Sequence, residues 1–173
     1  MSGTDENKRF LEKVEKEAQK ILDENILTVT YNGDTYHRTV PSKEYYIHQW
    51  KWDSETVAMG LVHYNPQAAY NELRALIAGQ WQNGHIAHVT YNQAERLYYP
   101  QAEKWRTEAF QRNNIPTSGI TQPPILAISV EYMYHHSPDK KQANNFLKEM
   151  LPAMMKFHDY LKTYRDPEDE GLI

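Results

Sequence analysis

The sequence predicts an all-α protein built from antiparallel helical hairpins, with a small β-hairpin near the N-terminus. Apolar residues recur at intervals of three and four through most of the chain, as they do on the buried face of an amphipathic helix. Several of these stretches are joined by very short connections, which place consecutive helices side by side and antiparallel. The exception lies near residue 30, where β-branched residues flank an Asn-Gly pair.

The first 37 residues predict one helix and one hairpin. From Thr4 to about Asn25 the apolar residues form a single stripe among charged ones, and this stripe needs a partner to cover it. Its members are Phe10, Val14, Ala18, Ile21 and Leu22. Between Ile26 and His37, two strand-like stretches stand on either side of Asn32-Gly33-Asp34. This pattern is typical of two short strands joined by a tight turn.

Residues 53 to 78 predict a helical hairpin. Asp53-Ser54 can cap the first helix, and Asn65-Pro66 ends it and opens the second. The apolar residues of the two helices are Val57, Ala58, Leu61 and Val62, and then Ala69, Leu73, Leu76 and Ile77. Residues 81 to 100 lack a helical period and contain Asn83-Gly84, so we expect a long irregular loop of the kind that often carries function.

Three more helices are expected in the rest of the chain. The first spans Ala102 to Arg112. Pro123 can start the second, whose apolar residues lie nearly all round it as in a buried helix, and Ser137-Pro138 ends it. The third carries apolar residues from Ala143 to Leu161, with a break or kink at Pro152, and Arg165-Asp166-Pro167 ends it. Neither a repeat nor a low-complexity linker divides residues 1–173, so we expect one domain or one part of a domain.

The composition excludes several classes of partner and site. The 173 residues carry a formal net charge of -4, with acidic and basic residues mixed, so we expect neither nucleic acid nor a membrane as a partner. There is no cysteine, which excludes disulfides and thiolate metal sites. No signal peptide and no apolar run of ~18 residues occurs, and we expect a cytoplasmic protein.

No metal or other cofactor is expected either. His85 and His88 lack a third ligand for zinc. The acidic residues from Asp166 to Glu170 do not have the spacing of the common calcium loop, and we expect an exposed acidic turn there.

Polar and aromatic residues crowd together in three segments, 45–54, 78–88 and 118–124, where loops meet predicted helices. The chain has 13 Tyr and 4 Trp against only 4 Phe, so its aromatic residues mostly carry a polar atom. A sugar presents an apolar ring face and a rim of hydroxyl groups, and it is recognised by indole or phenol planes together with carboxylates or amides. The same mixture also suits a protein interface, or tyrosines that cap the core.

Structural roles compete with binding roles in these segments. Trp50 and Trp52 face the same way if their segment is extended, with Asp53 directly after them. Asp53 could instead serve only as a helix N-cap while the tryptophans fill the core. Gln122, before two prolines, could likewise satisfy backbone groups at a helix start.

Four sequence blocks resemble the N-terminal half of mannosylglycerate-hydrolase-like enzymes, which are relatives of glycoside hydrolase family 63. They occur in the same order: QWKWDSETVAMGL, NPQAAYNELRALIAGQWQNGHIAH, SGITQPPILAISV and RDPEDEGLI. The resemblance covers most of residues 36 to 173. It implies an (α/α)6 barrel of six inner and six outer helices, and an inverting α-glycosidase acting on glucosides or mannosides. It also implies that these residues line the sugar pocket: Tyr46, Trp50, Trp52, Asp53 and Gln122, with Gln80, Trp81 and His88 added from the same blocks.

The resemblance also indicates what this chain lacks. In the family, the general acid follows the position of Gly171-Leu172-Ile173 and the general base lies much later, so no catalytic residue is assigned here. Twelve helices of about 11 residues with connections of about 5 need about 190 residues. We therefore expect the N-terminal portion of the barrel, with the sugar-binding half of the pocket, completed by a missing C-terminal half or a second chain.

Two alternatives stay open at this point. One is a non-catalytic carbohydrate-binding protein that keeps the pocket without the acid and base. The other is an interaction scaffold, a half-barrel whose large apolar helix faces are covered by another chain.

Overall fold

The computed structural model describes residues 3–94 and 98–171 of the chain. Its elements, in chain order, are α1 (Gly3–Glu24), β1 (Ile26–Tyr31), β2 (Asp34–Thr39), β3 (Gln49–Trp50), α2 (Lys51–Leu61), α3 (Pro66–Ala78), β4 (Val89–Thr90), α4 (Ala102–Trp105), α5 (Leu126–His136), α6 (Lys140–Tyr160) and a π-helical turn (Leu161–Arg165). The predicted all-α class with a small N-terminal β-hairpin is confirmed.

The β-hairpin is formed by β1 and β2, which pair antiparallel up to Tyr31 and Asp34. Between them, Asn32 and Gly33 have φ angles of 50° and 90°. Two successive residues in this left-handed region make a turn whose twist matches the strands. The Asn-Gly pair therefore forms the predicted tight turn.

A buried carboxylate, that of Glu72 in α3, attaches the hairpin to the helices. It accepts hydrogen bonds from the backbone N–H of Thr39 in β2 and from the Ser54 hydroxyl in α2. The Gln49 amide donates to it at 3.0 Å. Burial raises the pKa of Glu72, while these hydrogen bonds act in the opposite direction. One carboxyl group thus connects β2, β3, α2 and α3.

The core lies between the α2–α3 pair and the α5–α6 pair. The helices α2 and α3 are joined at Asn65, whose side chain accepts from the Ala68 N–H at 3.1 Å, with Pro66 as the first helical residue. This confirms the short predicted connection. Apolar side chains of this buried core include Leu61, Leu73, Leu76, Met133, Phe146, Met150 and Phe157.

The predicted helix over Ala102 to Arg112 is wrong, because α4 ends at Trp105. Arg106 has a φ of 53°, in the left-handed region that a helix interior cannot use. Next to it, the buried Thr107 hydroxyl donates to the Thr117 carbonyl at 3.1 Å. Side-chain bonds of this kind give the backbone an alternative to the helix.

The last two helices also differ from the prediction in detail. α5 begins at Leu126 rather than at Pro123, and it is not buried all round because Ile128 is 58% exposed. α6 is continuous across Pro152, so no break occurs there. Buried side chains on both sides of Pro152, including Met150 and Met154, anchor the helix to the core.

The apolar stripe of α1 remains largely uncovered by the described residues. Leu22 packs against the core, whereas Phe10 and Val14 are 66% and 49% exposed. Within residues 3–94 and 98–171, no helix combines the length and apolar character of a membrane span.

Candidate functional site

The N-terminus of α2 is where the predicted site residues meet. Trp50 ends β3 by pairing with Val89 of β4, and the Lys51 N–H donates to the His88 carbonyl at 2.9 Å. The helix therefore starts two residues before Asp53, and the proposed N-cap role of Asp53 is wrong. The cap comes from Gln122 instead, whose amide oxygen accepts from the Trp52 N–H at 2.9 Å.

Two adjacent clefts open at this helix end. The first, which we call the Trp50 cleft, has a volume of about 310 Å³ and is lined by Pro41, Tyr46, Trp50 and Asp53. The second, the Trp52 cleft, has a volume of about 280 Å³ and is lined by Trp52, Asp53, Thr56 and Gln122. Asp53 lines both, and among the described residues it is the one carboxylate that lines either. Trp50 ends a strand and Trp52 lies in α2, so the two tryptophans do not share one extended segment. They nevertheless line neighbouring clefts.

Aromatic surface is available in each cleft. Tyr46 is 52% exposed and Trp52 is 44% exposed, while Trp50 is half-buried. The rings of Tyr46 and Trp50 meet edge to face, with centroids 6.2 Å apart. An exposed indole or phenol next to a carboxylate provides both the stacking surface and the polar partner that a sugar ring requires.

His88 lies behind Trp50 rather than in the cleft lining. Its ring meets the Trp50 indole edge to face at 5.6 Å, and its Nδ1 forms a hydrogen bond with the Ser118 hydroxyl. Burial lowers the pKa of His88, so the ring is neutral at neutral pH. It supports the orientation of Trp50 from within the protein.

Gln80 and Trp81 do not line either cleft. The Gln80 amide donates to the carbonyls of Gly84 and Ala153, both at 2.9 Å. The Trp81 indole N–H donates to the Thr117 hydroxyl at 2.8 Å, and its ring stacks on Phe110. Their places in a sugar site stay predictions, since these contacts describe structural roles.

Sequence reasoning missed the contacts of Lys51 and Glu55, which are buried in the first two turns of α2 next to the cleft residues Trp52 and Asp53. Both side chains are fully buried, and Lys51 Nζ lies 2.8 Å from Oε1 and 3.1 Å from Oε2 of Glu55. Burial raises the pKa of Glu55 to about 7, although the Lys51 charge acts to lower it. Their spacing of four residues on a helix is not by itself a signal of burial, because such pairs usually lie on the surface.

Metal binding gains no support from the described part of the chain, where no group of three potential ligands occurs. His85 is buried between the rings of Trp81 and Tyr160, at 4.3 and 4.9 Å. Burial, reinforced by nearby positive charges of which Arg165 is the strongest, lowers the pKa of His85 to about 4. At the acidic turn, Asp166 accepts from the backbone N–H groups of residues 170 and 171.

A further cleft, of about 240 Å³, lies between the hairpin and α3. Its described lining contains Arg38, Asn71 and Glu72 but neither Trp nor Tyr. It offers no surface on which a sugar ring could stack, so the two clefts at the start of α2 are the better candidate.

Comparisons with known proteins identify the family of this chain. The model of the mannosylglycerate hydrolase MGH1-like glycoside hydrolase domain matches residues 46–173. Mannosylglycerate hydrolase MGH1 of Selaginella moellendorffii is 35% identical over 155 residues, which make up 90% of this chain and 30% of the relative.

Solved structures show the same similarity. The structure of GH63 mannosylglycerate hydrolase from Thermus thermophilus in complex with Tris aligns with a TM-score of 0.77 and 31% identity, covering 92% of this chain and 35% of that one. The glucose complex of that enzyme aligns with a TM-score of 0.71 and 32% identity, covering 92% and 36%. The prediction of part of an (α/α)6 barrel is thereby confirmed, and the chain spans about a third of the length of these relatives.

Proposed function

Because the chain belongs to the mannosylglycerate hydrolase MGH1-like glycoside hydrolase family, we propose that it supplies the sugar-binding part of an inverting α-glycosidase pocket. The observation that carries this proposal is the position of Asp53, an exposed carboxylate shared by two clefts with aromatic walls. A carboxylate can accept hydrogen bonds from two neighbouring sugar hydroxyls while an indole stacks on the ring. The substrates are α-mannosides or α-glucosides, in keeping with the names and ligands of the relatives.

Five residues at the clefts have distinct roles in this proposal. Trp52 and Tyr46 offer stacking surfaces, and Asp53 accepts from hydroxyl groups. Trp50 forms the wall of its cleft. The amide oxygen of Gln122 accepts a hydrogen bond from the Trp52 N–H, so its amide NH₂ group is the part that donates to a sugar.

The reaction itself requires groups from outside this chain. Inversion uses two carboxyl groups about 6.5–9.5 Å apart, one to protonate the leaving oxygen and one to activate water. Asp53 alone among the described residues brings a carboxylate to the clefts, and Glu55 is fully buried. We propose that the acid and base come from the C-terminal part of the barrel, as further polypeptide or as a second chain. The expected cytoplasmic location stays a prediction.

Two measurements test the proposed function. Titration of the ¹⁵N-labelled chain with glucose or methyl α-mannoside should give saturable shifts of the Trp52 and Asp53 amide signals, and Asp53→Asn should weaken them. The chain alone should not hydrolyse mannosylglycerate, and activity should appear when the C-terminal part is supplied. Each missing role is worth ~10²–10⁴ in rate.

Two results would contradict the proposal. Absence of saturable binding would remove the clefts from sugar recognition. Hydrolysis by the 173-residue chain that disappears in Asp53→Asn would instead make Asp53 catalytic.

A further inference from the structure

We propose that Lys51 and Glu55 are positioning residues for the sugar pocket, because their buried ion pair holds the Gln122-Pro123 segment on the N-terminus of α2. The inference rests on the proposed function, since it concerns the clefts assigned to the sugar. Neither side chain touches a cleft, so both act through Gln122 and Trp52.

The contacts of Lys51 carry the inference. Lys51 is the first residue of α2, and its side chain points into the protein with no exposed surface. Its Nζ donates to the Pro123 carbonyl at 2.8 Å and pairs with the Glu55 carboxylate one turn further along the helix. The Phe157 ring of α6 lies on another side, with its centroid 4.9 Å from Nζ.

The Gln122 segment depends on such contacts from outside. Gln122 is followed by Pro123 and Pro124, and neither proline has a backbone N–H to donate. The Pro123 carbonyl accepts from the Ile125 N–H at 3.0 Å, within its own loop, and from Lys51. Lys51 is therefore the contact that connects this carbonyl to α2.

The position of Gln122 follows directly from this attachment. Its amide oxygen accepts from the Trp52 N–H at 2.9 Å. Trp52 directly follows Lys51 on the helix, and Gln122 directly precedes Pro123 on the loop. Two adjacent bonds between the same two segments fix their relative position. A shift of Pro123 would move Gln122 and change the shape of the Trp52 cleft.

Stability alone does not account for a buried ion pair at this place. Replacing such a pair by apolar residues of similar volume is often neutral or stabilising, because the charges lose their hydration. Nearby His85, whose pKa is lowered to about 4 by burial first and then by positive charges including that of Lys51, is neutral at neutral pH and adds no second positive charge beside Lys51. A requirement for a donor at the Pro123 carbonyl explains the pair better.

The experiment replaces both charges at once in the 173-residue chain, as Lys51→Met/Glu55→Leu. Urea unfolding should show a free energy at least as high as that of the parent. The exchange of the Trp52 amide proton with deuterium, followed by NMR, should become about tenfold faster, while that of Val130 in α5 is unchanged. Glucose should bind about tenfold more weakly, as expected when one charged hydrogen bond no longer holds the site.

A matched control is the Arg74–Glu149 pair, which is 2.7 Å long and lies at the surface between α3 and α6. Arg74→Met/Glu149→Leu should leave Trp52 exchange and glucose binding unchanged. If Lys51→Met/Glu55→Leu does not fold, the same measurements are made on Lys51→Met alone at about pH 6. At that pH the Glu55 carboxyl can take up a proton, because burial raises its pKa to about 7, and no unpaired charge is left in the protein.

The outcomes separate this inference from the proposed function. If the parent binds glucose, and the folded variant retains both slow Trp52 exchange and the parental affinity, the positioning role is overturned. If the parent binds no sugar, the proposed function fails, and Trp52 exchange still decides whether Lys51 holds the Gln122 segment.

Discussion

The charge on Glu55 should make the stability of this protein depend on pH in a way that can be calculated. Burial raises the pKa of Glu55 from 4.5 to about 7 in the folded chain, and this difference corresponds to about 3 kcal/mol. The folded state holds the proton more tightly than the unfolded state. Stability from this group is therefore fully present below about pH 4.5 and is lost as the pH rises through about 7.

Glu55→Gln removes this titration while keeping the shape of the side chain. Urea unfolding, followed by circular dichroism, gives the unfolding free energy of parent and variant at each pH. We expect the parent value minus the variant value to fall by about 3 kcal/mol between about pH 4 and about pH 8. Glu72, whose pKa is also raised by burial, titrates in both chains and cancels in the difference.

The control for this measurement is Glu149→Gln, because Glu149 pairs with Arg74 in partial contact with solvent. Exposed pairs contribute about 0–1 kcal/mol, so the corresponding difference should change by less than about 1 kcal/mol over the same range. A flat difference for Glu55→Gln would show that Glu55 is hydrated or fully compensated in the folded chain. The reasoning from burial would then be wrong.

Three other outcomes are expected. Trp52→Ala should weaken glucose binding, measured by calorimetry, by about tenfold or more. Trp105 lies outside both cleft linings, so Trp105→Ala should have a smaller effect. Equal effects of the two substitutions would remove Trp52 from the site. Gly84→Ala should lower the unfolding free energy by more than about 3 kcal/mol, because its Cβ would lie 2.1 Å from the Lys156 carbonyl oxygen. Gly33→Ala, with φ +90° and open space around it, should cost only about 1–2 kcal/mol in the same urea unfolding assay, and an equal loss would contradict the steric argument. The chain alone should show no turnover of mannosylglycerate in a coupled assay, and turnover would contradict the need for a second carboxyl group.

Local signals predicted most of the fold because they act between near neighbours. The Asn32-Gly33 turn and the Asn65-Pro66 connection each depend on the backbone preferences of two residues, and both occur as predicted. The expected helix after Ala102 failed because Thr107 bonds to Thr117, ten residues away, and Arg106 adopts a left-handed conformation. Such a contact has no signature in the helical segment itself.

The start of α2 shows the same limit at the candidate site. Asp leads the residues that cap helices, so Asp53 was the natural choice from sequence. The actual cap is the side chain of Gln122, 70 residues away along the chain. The sequence indicated that Gln122 could satisfy backbone groups at a helix start, but not that the helix is α2. Pairing of Trp50 with Val89 fixes where the extended chain ends, and this pairing is also a contact between distant segments.

The buried ion pair, by contrast, could have been found from the phase of the helix. The buried apolar residues Ala58, Leu61 and Val62 define the inner face of α2. Moving back seven residues, which is close to two turns, places residues 51, 54 and 55 on that same face. These positions hold Lys51, Ser54 and Glu55, three polar residues where the helix should be apolar. Polar residues on a predicted core face must find partners inside the protein, because an unpaired buried charge is too costly. Their presence on this face therefore predicts buried polar contacts at the start of α2, which the structure contains between Lys51, Glu55 and Pro123 and between Ser54 and Glu72.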